Sequence, residues 1–356
     1  MPKRKLKIAI SDYRTDGELL RLHYIFQLLN REYDLELDDE IPDLVLFSDR
    51  SMNSSKQWRL LRKKCLKVFF TEENVRPNLQ LFDYAFSFDN TDERNFQLPG
   101  FAIFPSFRGL NPRAHLVLGE WEEKYFSHDK MREYRKFPKS RFCCFLYSNP
   151  GPPQRIDFCK KLMAYKKVDC GGKVLNNVPH VSLHLRHHFD FIKHYKFSIA
   201  FENEGARNYT TEKIGWALAA GIIPIYWGNP AITEYFNPKA FINCHDYDNF
   251  DKVIQRVIEV DNDEALYQEY KNAPPVLEGS KAAAITEEAI LERLDKICRE
   301  AVYASTTPRW SSPLKVFRYW IYSKTEDIRN RMRHKMQRVR YFLYRLKTRL
   351  RLSASG

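Results

Sequence analysis

A chain of 356 residues, 44% of them apolar, is long enough for two packed domains and too apolar to be disordered. No run approaches the ~20 apolar residues that span a bilayer, so a transmembrane helix is not expected. The net charge of +13 is uneven: residues 311–356 hold thirteen Lys and Arg against Glu326 and Asp327, leaving +2 on the other 310. A broadly basic body for binding nucleic acid is therefore not expected either.

The opening MPKRKLKIAI has the basic start of a signal peptide, but its apolar run stops at Ser11-Asp12-Tyr13-Arg14, with no small-residue cleavage site. Residues 6–10 read as a first strand, and neither a leader nor a signal anchor is expected. Residues 16–30 read as a helix with Leu19, Leu20, Tyr24, Ile25 and Leu28 on one face. Strands are expected over 43–48, 67–71 and 84–88, with a helix over 57–65. Residues 113–138 are polar and suit a linker or a flexible segment at an active site. A second series follows: strands over 142–147, 196–201, 221–227 and 241–243, and helices over 155–165, 211–220, 249–260 and 263–272. Strand–helix alternation predicts parallel sheets, hence an α/β fold of two halves facing across a cleft. The expected division is 1–138, 139–310 and 311–356.

The seven cysteines show no CxxC spacing and stand among apolar neighbours, so buried free thiols are expected. His187, His188 and His194 lack metal-ligand spacing and read as surface or partly packed histidines. Asp246, Asp248 and Asp251 read as caps of the helix starting near Asn249. In the tail, Ile328, Met332, Met336, Val339, Leu343, Leu346 and Leu350 form one stripe of a cationic helix. Such a helix suits an anionic membrane surface; packing on the body, pairing with a second copy as a homodimer, or binding nucleic acid are the alternatives.

Residues 196–230 carry the chemistry. An apolar strand ends in Glu202 and Asn203, a small-residue loop follows, and a helix opens with Thr210, Thr211, Glu212 and Lys213. Ligands of such sheets bind beyond the strands' carboxyl ends, and a helix start suits a phosphate. The G-x-G-x-x-G dinucleotide fingerprint is missing, and Gly171-Gly172 does not replace it.

Phe201-Glu202-Asn203, Tyr209-Thr210-Thr211-Glu212-Lys213 and Ile223-Pro224-Ile225-Tyr226-Trp227-Gly228 together resemble the α-1,3-fucosyltransferase signature of glycosyltransferase family 10, Helicobacter-type. Ser148-Asn149-Pro150 with Arg155, Phe236-Asn237-Pro238-Lys239 and Phe70-Thr71-Glu72-Glu73-Asn74 extend the similarity to roughly residues 6–275. The resemblance implies a GT-B fold, an acceptor-binding first domain and GDP-β-L-fucose bound by the second. It also implies inverting transfer to the 3-hydroxyl of N-acetylglucosamine in a galactosyl-N-acetylglucosamine glycan, such as a lipopolysaccharide O-antigen carrying Lewis-type structures. No cofactor is required; stimulation by Mn2+ or Mg2+ is left open. With the basic tail, this places the enzyme in the cytoplasm, peripheral on the inner face of the membrane.

The family's donor-binding residues fall on Arg155, Asn203, Tyr209, Glu212 and Lys213, and its general base falls on Glu73. Arg155 and Lys213 suit a departing diphosphate, Glu212 ribose hydroxyls, and Asn203 and Tyr209 phosphate or fucose oxygens. Glu73 suits removal of the acceptor proton. The family usually has Gly where Glu72 stands, so two adjacent acids compete, and a like charge beside the base is expected to raise it. Residue by residue, plainer readings exist: Glu212 favouring its helix start, Tyr209 a packed loop aromatic, Arg155 paired with a surface acid. Glu202 is expected to hold its loop. The rival functions are transfer from another nucleotide sugar, α-1,4 regiochemistry, or a silent glycan- or membrane-binding protein.

Overall fold

Runs such as Leu-Val-Leu-Phe-Ser and Leu-Lys-Val-Phe-Phe, with no polar alternation, make strands buried on both faces. A computed structural model of the chain describes residues 3–11, 24–49, 55–104, 107, 110–111, 127–181 and 185–304, and residues 317, 321, 332, 335, 336 and 339 singly. The first sheet contains β1 (Arg4–Ile10), β2 (Tyr33–Leu37), β3 (Leu44–Ser48), β4 (Leu66–Phe70), β5 (Tyr84–Ser87) and β6 (Asn95–Gln97), ordered β2-β1-β3-β4-β5-β6. Every pairing is parallel. Helices α1 (Tyr24–Glu32) and α2 (Ser55–Leu61) belong to this half.

The second sheet contains β7 (Arg141–Phe145), β8 (Val168–Cys170), β9 (Tyr195–Phe201), β10 (Ile223–Trp227) and β11 (Ile242–Asn243), ordered β11-β10-β9-β7-β8 and again all parallel. The order reverses between β7 and β9, and that switch point opens a crevice at the strands' carboxyl ends. Between β6 and β7 comes α3 (His128–Lys136). The later helices are α4 (Pro153–Met163), α5 (Leu185–Ile192), α6 (Glu212–Ala219), α7 (Phe250–Asn262), α8 (Glu264–Asn272), α9 (Lys281–Ala284) and α10 (Glu287–Ala304).

One apolar cluster runs from Ile8, Leu46 and Phe86 of the first half through Phe101 and Phe107 to Ile214 and Leu218 of α6 and Ala200 and Tyr226 of the second sheet. The two halves therefore share a core.

Three expectations change. Residues 128–136 are not linker: α3 is capped by the Ser127 hydroxyl, and its Met131 and Tyr134 are buried. Gly221, at φ +66°, lets α3 approach, since a Cβ there would lie 2.7 Å from the Cα of Arg135. α10 follows the second sheet in sequence but packs on the first half. Tyr33 donates to Asp295 at 2.6 Å, Arg293 donates to the Glu93 carbonyl at 2.7 Å, and Arg31 pairs with Glu287. The cap of α7 is Asn249, whose side chain accepts from the Lys252 amide. Asp246, Asp248 and Asp251 instead bond Asn243, Lys252 and Lys161. Finally, His188 is fully packed, its ring 4.1 Å from that of Trp216, and burial, opposed by Glu212, pushes it down to about 4.

All seven cysteines are buried free thiols. Most of the tail stripe, and residues 16–23 of the first expected helix, lie outside the described residues. Of the stripe, Met332, Met336 and Val339 are described: each is helical and exposed, as are Phe317 and Ile321 before it. No described helix is long and apolar enough to cross a membrane.

Candidate active site

β9 leads into Glu202, whose amide donates to the Trp227 carbonyl and extends the ladder one step. The Glu202 side chain is fully buried under the start of α6. It accepts from the Thr211 amide at 2.8 Å and from the Thr211 hydroxyl at 2.6 Å. Lys213 donates to that same hydroxyl oxygen at 2.6 Å and to Glu212 at 3.2 Å, and stands 3.3 Å from Glu202. One ammonium is thus caged by two carboxylates and a threonine. Gly228 makes room for the cage: a Cβ there would lie 2.4 Å from the Glu202 Cγ.

The cage fixes protonation. Burial works against the Lys213 charge, but Glu212 and Glu202 outweigh it and hold the ammonium above its ordinary value. Burial would raise Glu212, yet Lys213 and the Glu212 and Thr211 hydrogen bonds bring it below the usual carboxylate range. For Glu202 burial wins and the group is raised. Lys213 therefore remains a cation throughout the neutral range.

Arg155, on α4, lies at the switch point with no exposure at all. Among the described residues it pairs with no surface acid. Its guanidinium stacks 3.9 Å from the Tyr147 ring centroid and donates to the Phe201 carbonyl and to Asn203 Oδ1, each at 2.9 Å, and to the Asn149 carbonyl at 3.3 Å. Its Nε is buried without a partner among the described residues. Tyr147 is itself fixed, donating to the Ile199 and Phe201 carbonyls and accepting from the Phe201 amide. Gly172 packs against this wall, where a Cβ would meet the Tyr147 carbonyl at 2.3 Å, and a Cβ on Gly171 would meet Val181 and Leu146 at 2.7 and 2.8 Å.

From the first half, Glu73 follows β4, its amide donating to the Thr71 hydroxyl at 3.1 Å. Tyr209 is buried, edge-on to Phe88, and its hydroxyl donates to Glu73 Oε2 at 3.3 Å. Glu73 is open to solvent on one side, yet enough protein surrounds it for burial to lead the causes that raise it. Asp49, just past β3, supplies the leading like charge, in place of the adjacent Glu72 that the sequence pointed to.

The six residues singled out in the sequence thus form three bonded pairs: Arg155 with Asn203, Lys213 with Glu212, and Tyr209 with Glu73. Tyr209 turns its hydroxyl toward the first half. Tyr147 was not foreseen; its position, two residues past a strand end at the switch point, could have signalled it. Thr211 was read as part of the helix start, but not as the partner of Glu202.

Two facing parallel sheets, with a caged cation at the carboxyl end of the second, define an α/β fold of the GT-B kind. Residues 137–314 match glycosyltransferase family 10 (fucosyltransferase) C-term, and residues 13–104 match the alpha-(1,3)-fucosyltransferase FucT N-terminal domain. The chain belongs to glycosyltransferase family 10 and is a glycosyltransferase. It is 30% identical over 305 residues to alpha-(1,3)-fucosyltransferase FucT of Helicobacter pylori, an alignment covering 77% of this chain and 61% of that protein. It is 28% identical over 215 residues to human GDP-fucose protein O-fucosyltransferase 3, covering 56% and 43%. The chain therefore spans less than two thirds of the length of these curated relatives. A crystal structure of alpha1,3-fucosyltransferase with GDP-fucose superposes with a TM-score of 0.65 at 26% identity, covering 84% of this chain and 91% of that one.

Proposed function

We propose that this chain is an α-1,3-fucosyltransferase that moves L-fucose from GDP-β-L-fucose, with inversion, to the 3-hydroxyl of N-acetylglucosamine in a galactosyl-N-acetylglucosamine glycan. The observation that carries this is the Lys213 cage beside the buried Arg155 at the switch point. On this reading, leaving GDP builds charge on the β-phosphate, and Lys213 stands ready as a fixed cation that needs no reorganisation. The unpartnered Nε of Arg155 supplies a further buried donor in the crevice, since such a group seeks a partner. Glu212 accepts from ribose hydroxyls. Glu73, on the opposite wall and raised toward the working range, takes the proton of the attacking hydroxyl.

The acceptor reading, a lipopolysaccharide O-antigen or similar glycan gaining Lewis-type fucose, rests on the Helicobacter pylori likeness. A place on the inner face of the membrane rests on the basic tail and on exposed Phe317, Ile321, Met332, Met336 and Val339. The test is turnover of GDP-fucose against GDP-mannose on β1,4- and β1,3-linked galactosyl-N-acetylglucosamine, with and without Mn2+ or Mg2+. Release of GDP and an α-1,3 product from GDP-fucose is the expected result. Transfer from another donor only, or to a 4-hydroxyl only, would replace this reading with its rivals.

A further inference from the structure

The loop joining β9 to α6 belongs to the second half in sequence, yet it reaches into the first. Asn74 Nδ2 donates to Glu204 at 2.7 Å, Asn208 Nδ2 donates to Asn90 at 3.1 Å, and the Phe101 amide donates to the Thr210 carbonyl at 3.2 Å. The loop is also pinned from below. Fully buried Asn229 accepts from the Asn208 amide at 2.8 Å and donates to the Thr210 hydroxyl at 3.1 Å. Asn208, at φ +66°, takes the left-handed turn that asparagine tolerates. Tyr209, between these two pinned residues, has no freedom to turn.

Glu73 is the opposite case: a flexible side chain, open to solvent, whose carboxylate receives one side-chain hydrogen bond among the described residues, from Tyr209. We propose that Tyr209 is a positioning residue for Glu73, its rigidly held hydroxyl aiming that carboxylate into the cleft, while the Asn74–Glu204 bond beside it keeps the two walls in register. This rests on Glu73 as the base. A base must lie within ~2.6–3.2 Å of the proton it takes, and a displacement of about 1 Å costs on the order of 10²-fold. Burial and the surrounding carboxylates hold Tyr209 protonated, so it stays a donor. The groups acting on Glu73 are Asp49 past β3, Lys213 and Glu212 on α6, and Tyr209 itself. A donor to the ionised carboxylate favours that form, so losing it raises Glu73 further.

The experiment is Tyr209→Phe in the full chain, followed by kcat/KM against pH, GDP affinity by calorimetry, and the Glu73 carboxyl titration by 13C NMR, assigned with Glu73→Gln. The expected result is a kcat lower by ~10-fold with GDP affinity within ~3-fold. The acid limb and the carboxyl titration should both move up by roughly 0.5–1 pH unit. Asn74→Ala, which spares the hydroxyl, should lower kcat by a few-fold and leave the titration in place. A carboxyl titration that does not move in Tyr209→Phe overturns the proposal, whatever the activity. A tenfold loss of GDP affinity with an unmoved acid limb overturns it too, and makes Tyr209 a donor ligand. Full activity in Glu73→Gln would instead defeat the choice of base, while the titration would still report whether Tyr209 holds Glu73.

Discussion

The two walls of the cleft are built on opposite terms. On the second half, Glu202 and Arg155 are fully buried, and Lys213 is fixed through three partners. On the first half, Glu73 is open to solvent and leans on one hydroxyl. A wall that must meet developing charge gains from dipoles and charges that do not move. A wall that meets a bulky, variable acceptor needs room, and keeps only its reactive group aligned. On the reading proposed here the structure spends its burial on the donor side.

Removing the cation should be the most damaging single change. Lys213→Ala strips the compensating charge from Glu202, and breaking a buried pair costs about 3–5 kcal/mol. Both GDP binding and turnover should be lost, with kcat/KM down by at least ~10³-fold. Calorimetry with GDP and a thermal melt will separate lost binding from lost fold. GDP bound with undiminished affinity would place the diphosphate elsewhere and erase the contrast between the walls.

Glu73→Ala should lower turnover by ~10³-fold while GDP affinity stays within a few-fold, because the loss falls on the other wall. If activity survives, Glu72 or another acid is the base. The pH profile sharpens this. Glu73 works ionised and is raised above its ordinary 4.5. Activity should therefore be flat above its titration and fall as pH drops through a midpoint higher than that of a free glutamate.

Arg155→Lys is smaller because charge is kept. Lysine cannot reach Phe201, Asn203 and Asn149 together from one plane, and it loses the stack on Tyr147. GDP affinity should fall by ~10- to 100-fold with the base side untouched, as a GDP titration with the acid limb measured in parallel will show.

Most of the second-half wall was legible in the sequence because Glu202, Asn203, Glu212 and Lys213 lie in one unit, a strand, loop and helix over 196–227, where local order dictates who meets whom; Arg155, outside that unit, was reached through the family resemblance. Glu202 could be read as structural because it ends an apolar strand just before a polar helix start. What joins distant segments was not legible. The Tyr209–Glu73 bond spans 136 residues, and nothing local to either partner foretells it. α10 was missed for a different reason. Its stripe of Ile290, Leu294, Ile297 and Ala301 has helical spacing and was readable, but the surface it covers lies on the first half. In α3, Met131 and Tyr134 are the only apolar positions, too few to make a period, so a buried helix read as linker.

The smallest effect on turnover is expected from the tail. Removing residues 311–356 deletes none of the six site residues, so kcat/KM should stay within ~2-fold while binding to anionic liposomes is lost. The reason is charge: those residues carry thirteen of the 58 basic side chains against two acids, and the remaining body is close to neutral. Each Lys or Arg near an anionic surface contributes ~1 kcal/mol at low salt, so release should also follow when full-length protein is moved to high ionic strength. Cosedimentation with phosphatidylserine vesicles measures both. Unchanged binding after truncation would mean that the body itself holds the membrane, and the cleft would then have to be considered with a lipid surface at its mouth.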